Sequence, residues 1–286
     1  MKLSAASNGC SSSGKVERLA HQQNVSVVIP CYNEAQRLDV RLFRAYMEDS
    51  VTVRLIFVDD GSKDKTLNVL KEVCHGFEDR SSILPCKINR GKAEAVRLGL
   101  LHTLKEHNPK LIGFWDADLA TPLAAIQRFV DVLNRLPAVD MVFGSRVRLL
   151  GRDIKRDYHR HYLGRVFATV VSNLLDLPIY DTQCGAKLFR VNSNVESILE
   201  QPFLSQWIFD VEIIARYLKV YNNDPRNLER KIYEYPLESW EDVAGSKIRP
   251  LDFIRAFADM LKIRSKYLKY MAVPDCNYAE TSETIY

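Results

Sequence analysis

The chain has 286 residues, of which 47% are hydrophobic and 27% charged, and its formal net charge is +4 at pH 7. These values are typical of a soluble globular protein. The mild charge argues against a nucleic-acid-binding protein, which usually carries a stronger basic excess on one face. No run approaches the roughly 18 apolar residues of a membrane-spanning helix, so the sequence predicts none.

The cysteines and the two ends of the chain suggest a cytoplasmic protein with one folded domain. No two of the six cysteines have the C-x-x-C spacing of a zinc or thioredoxin site. Without a secretory signal, we expect reduced thiols and a cytoplasmic location. Residues 1–24 are rich in Ser, Asn and Gln and predict a disordered tail, and residues 274–286 predict a flexible tail. Residues 25–273 are therefore expected to form the folded domain.

Short apolar runs alternate with segments of helical spacing in the first half of the chain. Continuous apolar, β-branched runs are typical of strands buried on both faces of a parallel sheet. Strands that alternate with helices indicate right-handed βαβ units, so we expect an α/β fold with a mostly parallel central sheet. The predicted strands are 25–30, 53–58, 83–88, 111–115 and 139–143, and the predicted helices are 34–47, 64–74, 92–105 and 121–136, the second capped by Asp64 and the fourth by Thr121.

Beyond residue 146 the pattern changes to a run of basic residues followed by longer amphipathic segments. The basic run predicts either an anion-binding surface or a solvated helix face. Residues 183–190 and 231–237 predict further strands, and 162–175, 207–218 and 250–270 predict helices.

Two carboxylates, Asp116 and Asp118, directly follow the predicted strand 111–115 and flank Ala117. Side chains two residues apart at a strand end can reach one hard cation together. Mg²⁺ and Mn²⁺ prefer oxygen ligands and are commonly shared with substrate phosphates. The pair therefore predicts a divalent metal site, with a turn of solvated acids as the alternative.

Two other polar motifs also follow predicted strands. Asp59 and Asp60 end the second strand, where a carboxylate can accept hydrogen bonds from a base or a ribose, and Gly61 would let the backbone approach a ligand. Gly91 and Lys92 open a helix, and a helix amino end with cations suits a phosphate group. An ordinary turn and an ordinary helix start remain alternatives. Ligands of parallel sheets bind beyond the carboxyl ends of the strands, so we expect these motifs to form one site.

The ordered set of motifs resembles the family-2 glycosyltransferases with the GT-A fold. Later segments are similar to the dolichyl-phosphate β-glucosyltransferase branch, and the dolichyl-phosphate mannosyltransferases are close relatives of that branch. The first set is 27–30 with Asn33 and Glu34, 58–62, 89–93 and 116–118, and the second is 144–146, 181–189, 207–212 and 245–247.

This resemblance implies a Rossmann-like fold of the nucleotide-diphospho-sugar transferases and an inverting transfer that depends on Mg²⁺ or Mn²⁺. The donor would be UDP-glucose and the acceptor a polyprenyl or dolichyl phosphate. GDP-mannose as donor and a saccharide as acceptor remain alternatives, and no oligomeric state is implied.

The resemblance also implies roles for individual residues. Asp116 and Asp118 would hold the metal, and Asp210 lies where many family-2 enzymes carry a catalytic base. A lipid monophosphate is mostly dianionic at neutral pH, so it needs no such base. Arg146, Arg156 and Arg160 would face the acceptor phosphate. The nucleotide-sugar would contact Pro30, Tyr32, Asn33, Glu34, Asp59, Asp60, Lys92, Asp116 and Ala117, with Gly245, Ser246 and Lys247 in a loop that closes over the diphosphate.

A lipid acceptor requires contact with a membrane. The amphipathic segments 162–175 and 250–270 carry lysines and arginines, which anionic headgroups attract. We therefore expect peripheral binding to the cytoplasmic face of a membrane. The alternative is that both helices simply cover the core.

Overall fold

The computed structural model describes residues 24–156, 158–243 and 250–268, without the side chains of 158–161 and 250–254. The tails predicted for 1–24 and 274–286 lie outside these residues, apart from Asn24. The loop of Gly245, Ser246 and Lys247 also lies outside them, as does the side chain of Arg160.

The described residues form nine strands in two sheets. In chain order the strands are β1 (Val25–Cys31), β2 (Val53–Asp59), β3 (Ser81–Pro85), β4 (Leu111–Trp115), β5 (Met141–Ser145), β6 (Asp153–Lys155), β7 (Ala186–Arg190), β8 (Ile232–Pro236) and β9 (Ser239–Glu241). The large sheet has the order β3-β2-β1-β4-β7-β5-β8, and β6 pairs with β9. Every pair in the large sheet is parallel except those of β7, which runs antiparallel between β4 and β5. The predicted α/β fold with a mostly parallel sheet is confirmed.

Helices cover both faces of the large sheet. In chain order they are α1 (Val40–Asp49), α2 (Thr66–Cys74), α3 (Lys92–His107), α4 (Ala125–Arg135), α5 (Tyr158–Leu175), α6 (Ser193–Glu200), α7 (Phe209–Val220), α8 (Pro225–Glu229) and α9 (Pro250–Tyr267). Adjacent residues of a strand point to opposite faces, so Val28 belongs to the core under α3 and α7, whereas Val27 belongs to the core under α1, α2 and α4. None of these helices, as far as the chain is described, has the length and hydropathy needed to cross a bilayer.

Several predicted boundaries in the first half of the chain are wrong. The third strand spans Ser81–Pro85 rather than 83–88. Ser81 and Ser82 pair with Leu55 and Ile56 despite their polarity. The first helix begins at Val40, where Asp39 accepts a hydrogen bond from the backbone N–H of Leu42 (3.1 Å), and not at residue 34.

The helix predicted to start at Thr121 begins at Ala125 instead. The hydroxyl of Thr121 does not cap it and lies 3.8 Å from the sulfur of Cys184. Asp64 is not the N-cap of α2 either, because Lys65 holds that position, although Asp64 accepts a hydrogen bond from the N–H of Thr66 (2.9 Å).

The later elements were predicted less completely. The strand predicted for 183–190 covers only Ala186–Arg190, because residues 182–185 form a turn before it. The helix predicted for 250–270 ends at Tyr267 within the described residues. The short elements β6, α6, α8 and β9 were not predicted.

Candidate active site

The carboxyl ends of β1, β2 and β4 lie side by side, and the polar motifs follow each of them. The backbone N–H of Asp60 donates to the carbonyl of Cys31 (2.9 Å), which joins the ends of β2 and β1. The guanidinium of Arg37 lies 3.5 Å from Glu34 and 3.7 Å from Asp118, which joins the segments after β1 and β4. The predicted gathering of the motifs at one edge is therefore present.

Asp60 fixes the amino end of α3. Its two carboxylate oxygens accept hydrogen bonds from the backbone N–H groups of Arg90 (2.9 Å) and Gly91 (2.8 Å). Burial raises the pKa of Asp60, although these two hydrogen bonds oppose the rise. The neighbouring Asp59 is also buried and accepts from the N–H of Ser62 (3.1 Å). Both acids thus position backbone at the point where a nucleotide is expected.

Gly61 is required by the backbone itself. Its φ of +68° is a conformation that side chains other than glycine strain to adopt. An added Cβ would lie 2.6 Å from the carbonyl carbon of Ile88 and 2.7 Å from the nitrogen of Asn89. The close approach that Gly61 permits among the described residues is therefore to residues 88 and 89, and the expected approach to a ligand stays a prediction.

The segment after β1 is held by side-chain to backbone hydrogen bonds. Asn33 has a φ of +53°, its N–H donates to the hydroxyl of Ser62 (3.0 Å), and its amide oxygen accepts from the N–H of Lys63 (2.8 Å). The N–H of Glu34 donates to the hydroxyl of Thr66 (2.8 Å). Pro30 lies opposite Val58 near the end of β1, and the half-buried Tyr32 directly follows the strand.

The acidic pair after β4 adjoins a lysine. Asp116 is half-buried, and one of its carboxylate oxygens lies 2.5 Å from the ammonium of Lys92 at the start of α3. Asp118 accepts a hydrogen bond from the N–H of Ala120 (3.1 Å), and Ala117 between the two acids is buried. Burial and the negative charge of Asp116 raise the pKa of Asp118. Such mutual repulsion favours a cation between the two carboxylates.

The acidic pair fits a divalent cation shared with a phosphate ligand. Within the residues that the structure describes, no group of three or more His, Cys, Asp or Glu side chains could hold a metal ion. Asp116 and Asp118 therefore supply two carboxylates, and other oxygen ligands are needed. Mg²⁺ is usually bound in this way, by one or two carboxylates together with water and substrate phosphates.

Gly185 packs against the carboxylate of Asp116. The N–H of Asp116 donates to the carbonyl of Gly185 (3.0 Å). A Cβ on Gly185 would overlap all three atoms of the Asp116 carboxylate. The absence of a side chain at this position therefore lets the turn before β7 support the acidic pair. Gly185 lies within the motif 181–189, but no role was predicted for it.

Lys187 and Asp210 form a buried ion pair beneath the site. The ammonium of Lys187 is fully buried and lies 2.6 Å from the carboxylate of Asp210, in the first turn of α7. It also donates to the carbonyls of Thr182 (3.1 Å) and Cys184 (2.7 Å). This ion pair was not predicted. Lys187 lies within a strand pattern, and no local motif indicates that Asp210 is its partner.

Arg146, at the end of β5, has its charge balanced by Asp181. The guanidinium binds both carboxylate oxygens of Asp181, at 2.6 and 2.7 Å. Burial by itself raises the pKa of Asp181, but Arg146 outweighs it and the pKa falls to about 2. Glu234 accepts from the backbone N–H groups of Asp181 and Tyr180, at 2.7 and 2.8 Å, and fixes this turn. Asp181 and Glu234 were not among the predicted site residues.

Arg156 lies next to this pair. Burial and then the positive charge of Arg146 lower the pKa of Arg156 to about 10. The negative charges of Asp181 and Asp242 oppose this fall. Its guanidinium lies against α5, where a Cβ on Gly164 would be 2.6 Å from one of its nitrogens. Arg146 and Arg156 therefore place two guanidinium groups in one cluster with the carboxylate of Asp181.

Comparison with known proteins gives matches over most of the chain. The model of Glycosyl transferase family 2 matches residues 26–197. The dolichyl-phosphate beta-glucosyltransferase of Homo sapiens is 32% identical over 263 residues, which cover 86% of this chain and 76% of that protein. The protein of the same name from Saccharomyces cerevisiae is 32% identical over 266 residues, which cover 85% and 75%.

Solved structures share the fold. Glucosyl-3-phosphoglycerate synthase from Mycobacterium tuberculosis, in complex with phosphoglyceric acid, has a TM-score of 0.60 at 17% identity and covers 90% of this chain and 85% of its own. The same enzyme in complex with Mn²⁺ and UDP-glucose has a TM-score of 0.59 at 18% identity, with 94% and 86% covered. These likenesses confirm the expected GT-A fold.

Proposed function

Because the chain belongs to glycosyl transferase family 2, we propose that it transfers glucose from UDP-glucose to a polyprenyl or dolichyl phosphate with inversion at the sugar. The observation that carries the proposal is an acidic pair and a basic pair at one edge of the sheet. Asp116 and Asp118 suit the donor, and Arg146 and Arg156 suit an anionic acceptor. Burial lowers the pKa of Arg146 and Asp181 outweighs it, and Asp116 is near enough to add to the rise that Asp181 causes.

The donor half would be built on the carboxyl ends of β1, β2 and β4. Asp116 and Asp118 would hold Mg²⁺ or Mn²⁺, and the bound ion would supply positive charge to the departing diphosphate. Lys92 would add a second positive charge. The nucleotide would lie against the backbone that Asn33 and Asp60 hold in place, with Pro30, Tyr32, Glu34, Asp59 and Ala117 around it and the loop of Gly245, Ser246 and Lys247 over it.

The acceptor half would be centred on Arg156. Since Arg146 is paired with Asp181, the guanidinium of Arg156 would bind the phosphate, with Arg160 as a further contact. A phosphate monoester has a second pKa near 6 and is largely dianionic at pH 7, so it attacks without losing a proton. The protein would align two anions and offset their repulsion. This agrees with Asp210, whose carboxylate is buried and paired with Lys187.

The lipid part of the acceptor would be reached through exposed apolar side chains on α5. Leu163, Val166 and Val170 are 53%, 65% and 40% exposed and recur every three to four residues, so they share one face of the helix. Phe257 and Leu261 form a similar exposed pair on α9. We propose that these faces contact the cytoplasmic surface of a membrane as a peripheral protein does.

A donor and acceptor panel tests this proposal. The purified protein would be incubated with a short-chain, water-soluble prenyl phosphate, Mn²⁺ and either UDP-glucose or GDP-mannose, and products would be identified by mass. We expect a glucosyl phosphate product from UDP-glucose. Product from GDP-mannose alone, or transfer to a free sugar but not to the prenyl phosphate, would contradict the proposal.

A matched pair of variants tests the acidic pair. Asp116→Ala and Asp118→Ala are expected to abolish metal-dependent turnover while the thermal unfolding midpoint stays close to that of the wild type. Asp131, on the exposed surface of α4, serves as the control position, and Asp131→Ala should leave turnover unchanged. Full activity of Asp116→Ala would exclude this site.

A further inference from the structure

Two different contacts hold the guanidinium of Arg146. Asp181 binds one edge of it, where Nε and Nη2 donate to the two carboxylate oxygens at 2.6 and 2.7 Å. The ring of Trp240 covers a face of it, with the central carbon of the guanidinium 5.2 Å from the ring centroid. A cation within about 6 Å of an aromatic ring is attracted to its π electrons, and tryptophan attracts most strongly. The edge and the plane of the guanidinium are therefore set by two different residues.

Trp240 is fixed in place independently of this contact. It is the central residue of β9, it is buried, and it lies opposite Ile154 of β6. The next residue of the strand, Glu241, donates its backbone N–H to the carbonyl of Ala120 in the segment after β4 (3.2 Å). β9 is thus attached both to β6 and to the segment that carries the acidic pair. The ring is a rigid surface against which Arg146 rests.

The contact with Asp181 leaves part of the Arg146 guanidinium for another partner. A guanidinium carries five N–H donors in one plane, and Asp181 engages those on Nε and Nη2. The Nη1 group lies on the edge that points away from this carboxylate. A tilt of the plane would move the two N–H groups of Nη1 and would leave the bonds to Asp181 largely intact. An aromatic surface against the plane opposes such a tilt.

We propose that Trp240 is a positioning residue of the acceptor site, because its ring holds the plane of the Arg146 guanidinium so that Nη1 meets the acceptor phosphate. The assignment rests on the proposed function, in which Arg146 and Arg156 suit an anionic acceptor. Trp240 acts through Arg146 and does not itself have to touch the substrate.

Two substitutions of Trp240 separate the aromatic contact from simple packing. Trp240→Leu keeps an apolar side chain in the core but removes the aromatic face, so the guanidinium of Arg146 stays bonded to Asp181 and gains freedom to tilt. Trp240→Phe keeps an aromatic face that attracts a cation less strongly. The loss should fall on the acceptor and not on the donor, because Arg146 belongs to the acceptor half of the site.

Initial rates of glucose transfer, measured with Mn²⁺ while UDP-glucose and a short-chain prenyl phosphate are varied in turn, give a KM for each substrate. We expect KM for the prenyl phosphate to rise about tenfold in Trp240→Leu and about threefold in Trp240→Phe. KM for UDP-glucose should stay within about twofold of the wild type. An unchanged acceptor KM would overturn the proposal, as would an equal rise in both KM values, which a purely structural role predicts. If Trp240→Leu does not fold, Trp240→Phe decides by the same criteria.

Phe77→Leu is the matched control. The ring of Phe77 is also buried, and the guanidinium groups of Arg44 and Arg80 lie over it at 5.0 and 5.2 Å. Phe77 precedes the amino end of β3, whereas Arg146 follows the carboxyl end of β5. This variant should lower the unfolding midpoint and leave both KM values unchanged. A rise in its acceptor KM equal to that of Trp240→Leu would overturn the proposal. Failure of the wild type to glucosylate the prenyl phosphate would instead contradict the proposed function itself.

A background without the charge of Arg146 gives a second test. Arg146→Met combined with Asp181→Asn removes both charges of the ion pair, so no buried charge is left without its partner. If Trp240 acts through Arg146, the addition of Trp240→Phe to this background should not raise the acceptor KM further. A further rise of about threefold would show that the ring acts by another route and would overturn the inference.

Discussion

Replacement of Gly185 by alanine probes the contact between the turn before β7 and the carboxylate of Asp116. The added Cβ would overlap the carboxylate atoms of Asp116, whereas ordinary contact begins at 3.4 Å. The backbone of Gly185 does not have a left-handed φ, so its conformation is compatible with alanine. The carboxylate must therefore withdraw by about 1 Å or more, and a misplacement of about that size can lower a rate about 100-fold.

The assay is steady-state transfer from UDP-glucose to a short-chain prenyl phosphate, with the Mn²⁺ concentration varied at each substrate concentration. We expect turnover of Gly185→Ala to fall about 100-fold. Gly76→Ala is the control, because Gly76 has a φ of +82° but no atom within 4 Å of an added Cβ. This control should lose about 1 kcal/mol of stability and keep its activity. Wild-type turnover of folded Gly185→Ala would refute the reasoning.

Three other outcomes follow from single contacts. The pKa of Asp181, about 2 when folded, lies below the unfolded value near 4, so its stabilisation is present above pH 4 and lost toward pH 2. Urea unfolding would give the free energy of unfolding of the wild type and of Asp181→Asn. The difference between these two free energies should fall by about 1 kcal/mol from pH 5 to pH 3, and a difference that does not change with pH would contradict this. Gly61→Ala should lower the unfolding free energy by about 2 kcal/mol or more, since strain and overlap coincide; an unchanged thermal midpoint would argue otherwise. Val166→Ser should reduce sedimentation with anionic vesicles and leave turnover on a water-soluble acceptor intact; equal sedimentation of both forms would exclude α5 as the contact.

Much of the large sheet could be predicted because its central strands have a simple pattern. Residues 25–31 and 53–59 are apolar on both faces, and each is followed at once by polar residues. The position of the acidic pair followed from the same pattern, since β4 is short, fully buried and directly followed by Asp116. The carboxyl ends of these strands were expected to lie close together because neighbouring strands of a parallel sheet run in the same direction.

The supporting residues could not be predicted, because their partners are distant in sequence. The ion pair of Lys187 and Asp210 spans two elements, and a lysine inside a strand usually indicates an exposed edge rather than a buried position. The contact of Gly185 with Asp116 depends on β7 running opposite to its neighbours, and the apolar pattern of a strand carries no information on its direction. Thr121 shows the converse error, since Thr-Pro resembles a helix start but the chain makes one further turn before α4.

The placement of β7 has a consequence for folding during synthesis. The strands β3, β2, β1 and β4 are hydrogen-bonded neighbours, so they can pair as soon as residue 115 has left the ribosome. β5 is synthesised next, but it has no strand to pair with at that stage. Its neighbour β7, which lies between β4 and β5, is complete only at Arg190. A nascent chain about 150 residues long therefore exposes the open edge of β4 and an unpaired β5, both of which can associate with other chains. The same delay postpones the contact of Gly185 with Asp116. The site is therefore completed only after β7 has joined the sheet.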